Sequence, residues 1–541
     1  MKKNREDYNK EMKIKEEKPF FQDLFDLTKQ EFANDHLFDD NAKIEIRENS
    51  FEQIVKELEI YNLSTTSDDV KGIAFEKFLG KTFRGELGQF FTPRTVVDFM
   101  VSVLDPQEGE LVCDPCCGSG GFLIKTFEYV REKIEKDIEL QKDNFKAERY
   151  GDDYDKLPEK KRQKIEKEVA QTFSYLNQEL NINNEKGRLR SLSFDCIYGT
   201  DANPRMARTA KMNMIMHGDG HGGVHHHDGL LNVNGIFENR FDIILTNPPF
   251  GARVEKDLKI SEADRFTDET KIAAYVKRYG EEYKKALRQV NDNINESLLS
   301  LYKIDSSLTE VLFIERCLNL LKPGGRMGIV LPEGVLNNTN LQKARDFVEG
   351  KAKILLIVSI PQDVFIASGA TVKPSLLFFK KFTEEEASAY SQIQNQAQLE
   401  VTTKYQKEID SIKEKLKLRG SEAPSKEEKK IYRSKLKTLQ EKIETEVKTI
   451  VKEKFDYEIP IAEIQKAGIS TTGKEIENEL IPLAKEFKPY RIENKLWDIP
   501  FKTIKYKTDE GGYVFRYRET GGIMSEPEPF YNVKKLSLIH I

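Results

Sequence analysis

The chain has 541 residues, 38% of them hydrophobic and 33% charged, with a formal net charge of −5. That length exceeds one ordinary core, so two to three domains are expected. The balance excludes a global basic field, no stretch approaches a membrane span, and five cysteines make no disulfide framework; a cytoplasmic, reducing setting is the default.

Residues 1–86 read as helical. Phe20, Phe21, Leu24, Phe25 and Leu27 fall near helical spacing, and Phe51, Ile54, Val55 and Leu58 do so more cleanly. Neither segment carries a chemical constellation, so a helical cap or interaction region is predicted. A β-rich core is expected over 87–383. It opens with Gly88-Gln89-Phe90-Phe91-Thr92-Pro93-Arg94, a loop delivering the apolar helix of Val96, Val97, Phe99, Met100, Val103 and Leu104. Thr92 before Pro93 reads as an N-cap with Pro at the first helical position.

From Leu111 to Ile124 a short apolar strand meets Asp114, then the glycine-rich turn Gly118-Ser119-Gly120-Gly121, then a helix start. Such glycines let backbone approach a ligand closely, and helix N–H groups can take a carboxylate. The spacing is neither the dinucleotide pattern nor a P-loop. Cys113 and Cys116 form a C-x-x-C pair without a second pair, so small buried residues in a tight turn are expected rather than zinc. A charged helical insertion is predicted near 131–190. Ile197-Tyr198-Gly199-Thr200-Asp201 is a second strand ending in an acid, which can accept both hydroxyls of a ribose. Five of the seven histidines lie between His217 and His227 among glycines. That composition predicts a solvated loop rather than a metal site, with Asp228 at its close the better candidate for chemistry.

Phe241-Asp242-Ile243-Ile244-Leu245-Thr246 is a β-favouring run halted by Asn247-Pro248-Pro249-Phe250-Gly251. Two prolines remove backbone donors and fix φ, so the last side chains of the strand are held rigidly. The Asn247 amide oxygen and the Pro248 carbonyl can both accept from an exocyclic amine, while Phe250 offers a flat face to a planar base. A second charged insertion is expected near 252–306. Beyond it come a buried helix from Val311 to Leu321, a turn at Pro323-Gly324-Gly325, and strands at Met327–Leu331, Ile354–Ile360 and Pro374–Phe379. Residues 384–455 read as an antiparallel helical hairpin. Its seam (Val401, Tyr405, Ile409, Ile412 and Leu416 facing Tyr432, Leu436, Leu439, Ile443, Val447 and Ile450) is either closed between the two helices or left for partner helices. The tail, 456–541, reads as irregular and stops on an apolar run without a cap, so the chain is expected to be cut short there.

Taken in order, these motifs resemble the N6-adenine DNA methyltransferases, specifically the modification subunit of type I restriction–modification systems. Gln89, Phe90, Phe91, Thr92, Pro93 and Arg94 match that family's leading cofactor motif; Asp114, Gly118, Ser119, Gly120 and Gly121 are similar to its S-adenosylmethionine loop. Asp201 matches the ribose-binding acid, Asp228 joins the cofactor set, and Asn247, Pro248, Pro249 and Phe250 match the catalytic motif. Leu321 to Arg326, Leu331-Pro332 and the stretch from Phe455 to Tyr490, including Gly468-Ile469-Ser470-Thr471-Thr472-Gly473, also look like family segments. The resemblance implies an α/β fold with a Rossmann-like S-adenosylmethionine-dependent methyltransferase core, a helical N-terminal region and a C-terminal helical hairpin. It implies DNA as substrate, no metal, no membrane, and a specificity subunit, a restriction subunit and a second copy of the chain as partners. The long gap from Asp114 to Asp201, the short helical N-terminal region and the histidine-rich loop depart from the pattern. A stand-alone or fused DNA methyltransferase, a protein-glutamine or RNA-guanine methyltransferase, and a catalytically silent assembly subunit are the alternatives.

Overall fold

The computed structural model describes residues 20–31, 38, 41–60, 92–218, 223–366, 372–419, 424–472 and 474–497, with the backbone of short strands between 502 and 532. Its centre is an eight-stranded sheet built from β1 (Val112–Asp114), β2 (Ile197–Asp201), β3 (Val224–His226), β4 (Phe241–Thr246), β5 (Leu321–Pro332), β6 (Ala352–Ser359), β7 (Pro374–Lys381) and β8 (Ile461–Glu463). The order across the sheet is β3-β2-β1-β4-β5-β7-β6-β8. β1 to β5 run parallel, with Val112 opposite both Ile197 and Ile243, whereas β7 lies antiparallel between β5 and β6.

The apolar run of β4 follows from cover on both faces. Ile243 and Leu245 join the cluster of α3 (Arg94–Leu104), while Phe241 and Ile244 face the opposite cluster with Ile314 and Leu318. Strand alternation sends Ile244 to the face opposite Ile243 and Leu245, and Phe241 joins the Ile244 side across a register shift between Phe241 and Ile243, so one segment lines two cores. α4 (Gly121–Arg149) continues straight from the glycine turn for 29 residues, so the first charged insertion has no break at 131. α5 (Glu159–Gln178) packs back on it through Phe145 and Val169. Pro323-Gly324-Gly325 does not precede the strand as a separate turn. β5 includes it, with Gly324 at φ 78° and a register shift opposite Phe241 and Ile243. A Cβ on Gly325 would lie 3.0 Å from the Phe241 carbonyl, so glycine there lets the irregular backbone stay against β4.

The tail from 456 is more regular than its sequence suggests. β8 joins the sheet, β9 (Ala467–Ile469) pairs with β10 (Glu475–Asn478), and a helix spans Leu480–Glu493. Arg491 of that helix, 1% exposed, donates to Asp105 at 2.8 Å across 386 residues of sequence. Burial alone would raise the Asp105 carboxyl, but Lys133 and Arg491 hold it well below the usual range. Trp497 lies beneath the guanidinium groups of Arg326 and Arg491. No local pattern announces this docking, because its partners are distant in sequence.

The hairpin forms as α11 (Glu384–Lys417) and α12 (Lys426–Lys454), and among the described residues the seam closes on itself: Ala397, Val401, Ile409, Ile412, Leu439, Ile443, Val447 and Val451 are all buried. The alternative of a seam left open for a partner is thereby corrected. α11 leaves the sheet just past Lys381, whose Nζ donates to the Leu321 carbonyl at the start of β5. That is the end of the sheet opposite the carboxyl ends of β1, β2 and β4. No described helix is long and apolar enough to cross a membrane.

Candidate functional site

The parallel strands β2, β1 and β4 bring three sequence-distant ends side by side. Asp114, last in β1 and 1% exposed, accepts from Thr246 Oγ1 at 2.6 Å and from the Cys116 N–H at 3.1 Å. Burial pushes its carboxyl up to about 7. The turn after it needs glycine at two positions, for different reasons. Gly118 has φ 54°, and a Cβ there would meet nothing within 4 Å; Gly120 has φ 88°, and its Cβ would lie 3.4 Å from that of Ala210 in the helix Pro204–Met216. Gly118 therefore borders open space, whereas Gly120 is in part a packing glycine. The Ser119 carbonyl accepts from Asn213 at 3.1 Å, and Gly121 begins α4.

Asp201, last in β2, accepts from the Gly118 N–H at 3.0 Å with one oxygen and the Asn203 N–H at 2.8 Å with the other. Burial raises its carboxyl pKa. Each carboxylate oxygen retains a further lone pair, so two hydroxyl groups could still be accepted. Asp228, half-buried after β3, accepts from the Leu230 N–H at 2.9 Å.

At the end of β4, Asn247 Nδ2 donates to Thr92 Oγ1 at 2.9 Å, while Asn247 Oδ1 is buried without a hydrogen-bond partner. Thr92 is thus no N-cap: Pro93 occupies that position without a side-chain cap, and the Thr92 hydroxyl turns to Asn247 instead. Pro248 is buried, and its carbonyl accepts no bond among the described residues, whereas the carbonyl of exposed Pro249 takes the Thr309 hydroxyl at 2.8 Å. The Gly251 N–H, at φ 69°, donates to Glu310. Phe250 is half-buried against the cluster beneath α3. Arg94 is exposed and faces Glu128, which is bonded to the buried His217. Gln89, Phe90 and Phe91 lie outside the described residues.

The histidines of the loop part company. His225 contacts Asn234, and burial drives its pKa down to about 3; His226 meets the Ala202 carbonyl and His227 that of Asp228. Among the described residues no three His, Cys, Asp or Glu side chains are grouped to hold a metal ion. Thr246, Thr309 and Glu310 are site residues that sequence reasoning missed. Only Thr246, adjoining Asn247 at the end of an apolar strand, carried a local signal. A cavity of about 350 Å³ lies elsewhere, at the root of the hairpin. Two of its three acids are already paired, Asp346 with Lys448 and Glu349 with Lys452, and no chemistry is assigned there.

The sequence matches the family model of N-6 DNA methylases over residues 66–164, 168–279 and 277–452, well over half of its length. It is 23% identical over 359 residues to the methylase subunit of the type I restriction enzyme EcoEI from Escherichia coli, covering 66% of this chain and 54% of that protein. It is 25% identical over 317 residues to the MjaIX methylase subunit of Methanocaldococcus jannaschii, covering 58% and 41%. The chain thus spans about half the length of the curated relatives it matches. The crystal structure of the EcoKI M protein aligns with 56% of this chain and 46% of that one, at 22% identity and a TM-score of 0.32.

Proposed function

The chain belongs to the N-6 DNA methylase family, and from that premise we propose that it methylates N6 of adenine at specific DNA sites with S-adenosylmethionine, as the modification subunit of a type I restriction–modification complex. The observation that carries the reading is the buried, unpartnered Asn247 Oδ1 beside the uncommitted Pro248 carbonyl. An adenine amine is a poor nucleophile because its lone pair is delocalised into the ring. Two fixed acceptors for its N–H groups favour the tetrahedral nitrogen of the transition state over the planar ground state.

The residues present fit the cofactor. Gly118 borders space that any side chain would enter, Asp201 has lone pairs to spare for ribose hydroxyls, and Asp114 lies between them and Asn247. When bound, S-adenosylmethionine supplies an electrophilic methyl group on a sulfonium. The target base has to leave the duplex to reach Asn247, and stacking on Phe250 offsets part of the unstacking cost.

A net charge of −5 gives the chain few phosphate contacts to spare, and phosphate contacts supply most nonspecific DNA affinity. Sequence selection is accordingly assigned to a separate specificity subunit. The test is tritiated methyl transfer to plasmid DNA by the full chain, alone and with the specificity subunit that co-purifies from the native source. Cofactor binding without appreciable methylation is expected for the chain alone, and site-specific N6-methyladenine for the complex. Robust sequence-specific methylation by the chain alone would put recognition inside these residues. Label appearing on protein or RNA instead of DNA would overturn the substrate.

A further inference from the structure

We propose that Thr92 is the positioning residue for Asn247, holding the amide so that its oxygen rather than its nitrogen meets the target amine. The inference rests on the reading of Asn247 as the acceptor of that amine. The two ends of an Asn side chain are nearly identical in shape and opposite in hydrogen bonding, so a half-turn about the last torsion would set donor against donor. In the structure the nitrogen end is committed, with Nδ2 2.9 Å from Thr92 Oγ1, and the oxygen end is buried and free of partners. A threonine hydroxyl accepts there and still keeps its own proton for a second group. A donated N–H also polarises the amide and makes Oδ1 a better acceptor.

Both sides of this bond are mechanically fixed. Asn247 is followed by two prolines. Thr92 precedes Pro93, whose carbonyl accepts from Val96 at 2.9 Å and Val97 at 3.1 Å, so α3 starts without slack. Seven of the eleven residues of α3 are buried. On its first turn sits β9: a Cβ on Gly468, which has φ 81°, would lie 2.7 Å from Thr95 Cγ2. The hydroxyl is therefore delivered by an element clamped from both sides, which is what orienting an amide requires. The sequence reading gives Thr92 a role toward the cofactor; the geometry assigns its hydroxyl to the catalytic amide.

Thr92→Val keeps the shape and removes the hydroxyl, while Thr92→Ser keeps the hydroxyl. In the complex with the specificity subunit, Thr92→Val should lower kcat about 10- to 100-fold, the scale of one lost bond plus a stranded buried donor. Cofactor Kd and the KM for DNA should stay within about twofold, and Thr92→Ser within a few-fold of the unmodified rate. On an Asn247→Ala background, Thr92→Val should cost nothing further, since the pair acts as a unit. Cofactor affinity falling in step with rate, an impaired Thr92→Ser, or additive losses in the double variant would overturn the proposal. A crystal structure of Thr92→Val provides a readout independent of activity: the Asn247 amide should be rotated or split between two orientations, and an unmoved amide would overturn the proposal as well. If instead Asn247→Ala alone transfers methyl groups at the unmodified rate, it is the functional reading that fails.

Discussion

At the carboxyl end of the sheet, a carboxyl group is buried at Asp114, an amide oxygen goes unpartnered at Asn247, and three glycines in two loops take positive φ. In the hairpin α11–α12 no such irregularity occurs among the described residues. Its seam is closed, and both helices begin with complete capping boxes, Thr383 with Glu386 and Ser425 with Glu428. Both regions belong to one chain under one selection for folding. The difference shows where stability has been given up: local rules are broken around the candidate site, and kept where the element serves as a frame.

Removing the unpartnered acceptor should produce the largest effect. Asn247→Ala should lower methyl transfer by at least ~100-fold, the scale for one transition-state hydrogen-bond partner, with cofactor affinity nearly intact. Single-turnover rates and calorimetry separate the two. An equal loss of both would mean that Asn247 serves binding rather than chemistry.

The hairpin should fail in the opposite manner. Leu439→Glu buries a charge in the closed seam and should cost roughly 2–4 kcal/mol of hairpin stability. Cofactor binding should survive, because the hairpin leaves the sheet at its far end. Leu399→Glu, at a position 71% exposed, should change stability by less than about 0.5 kcal/mol. Protease susceptibility and urea melts report both. A stable Leu439→Glu chain that merely lost a partner would mean that the seam faces outward.

Gly118 and Gly120 sharpen the comparison within the site. Gly118→Asn tolerates the left-handed backbone and projects into open space, so cofactor affinity should fall roughly tenfold or more, ~1.4 kcal/mol, with little change in melting temperature. Gly120→Val presses on Ala210 at a strained φ and should lower stability together with binding. Identical behaviour of the two variants would erase the distinction between ligand-facing and packing glycine.

The last effect concerns pH. Asp114 has its carboxyl raised from the ordinary 3.8 to about 7 by burial. A group raised on folding contributes stability that is present below its unfolded value and lost as pH rises through its folded one. Stability of the ligand-free chain should therefore decline between about pH 4 and about pH 7, and Asp114→Asn should flatten that slope. Urea midpoints across this range provide the measurement; a slope unchanged in the variant would assign it to other groups.

The strand ends of the candidate site were legible where they are written in consecutive residues. A strand ending in Asp114 before a glycine turn, another ending in Asp201, and Asn247 after a strand and before two prolines are each set by local sterics and hydrogen-bonding capacity, so their residue order alone indicates where the strands end. The helices of the hairpin were legible for the same reason, since their apolar spacing repeats within each helix. Tertiary structure alone decided the rest. Thr92 and Asn247 meet across 155 residues, Asp114 and Thr246 across 132, and Asp105 and Arg491 across 386. Such pairs are chosen by which strands and helices pack side by side, and parallel strand neighbours are joined by long crossovers that no sequence window spans. Whether the hairpin seam was closed or open was undecidable from periodicity for a related reason. An apolar stripe specifies that one face is to be buried, and only the packed structure specifies against what.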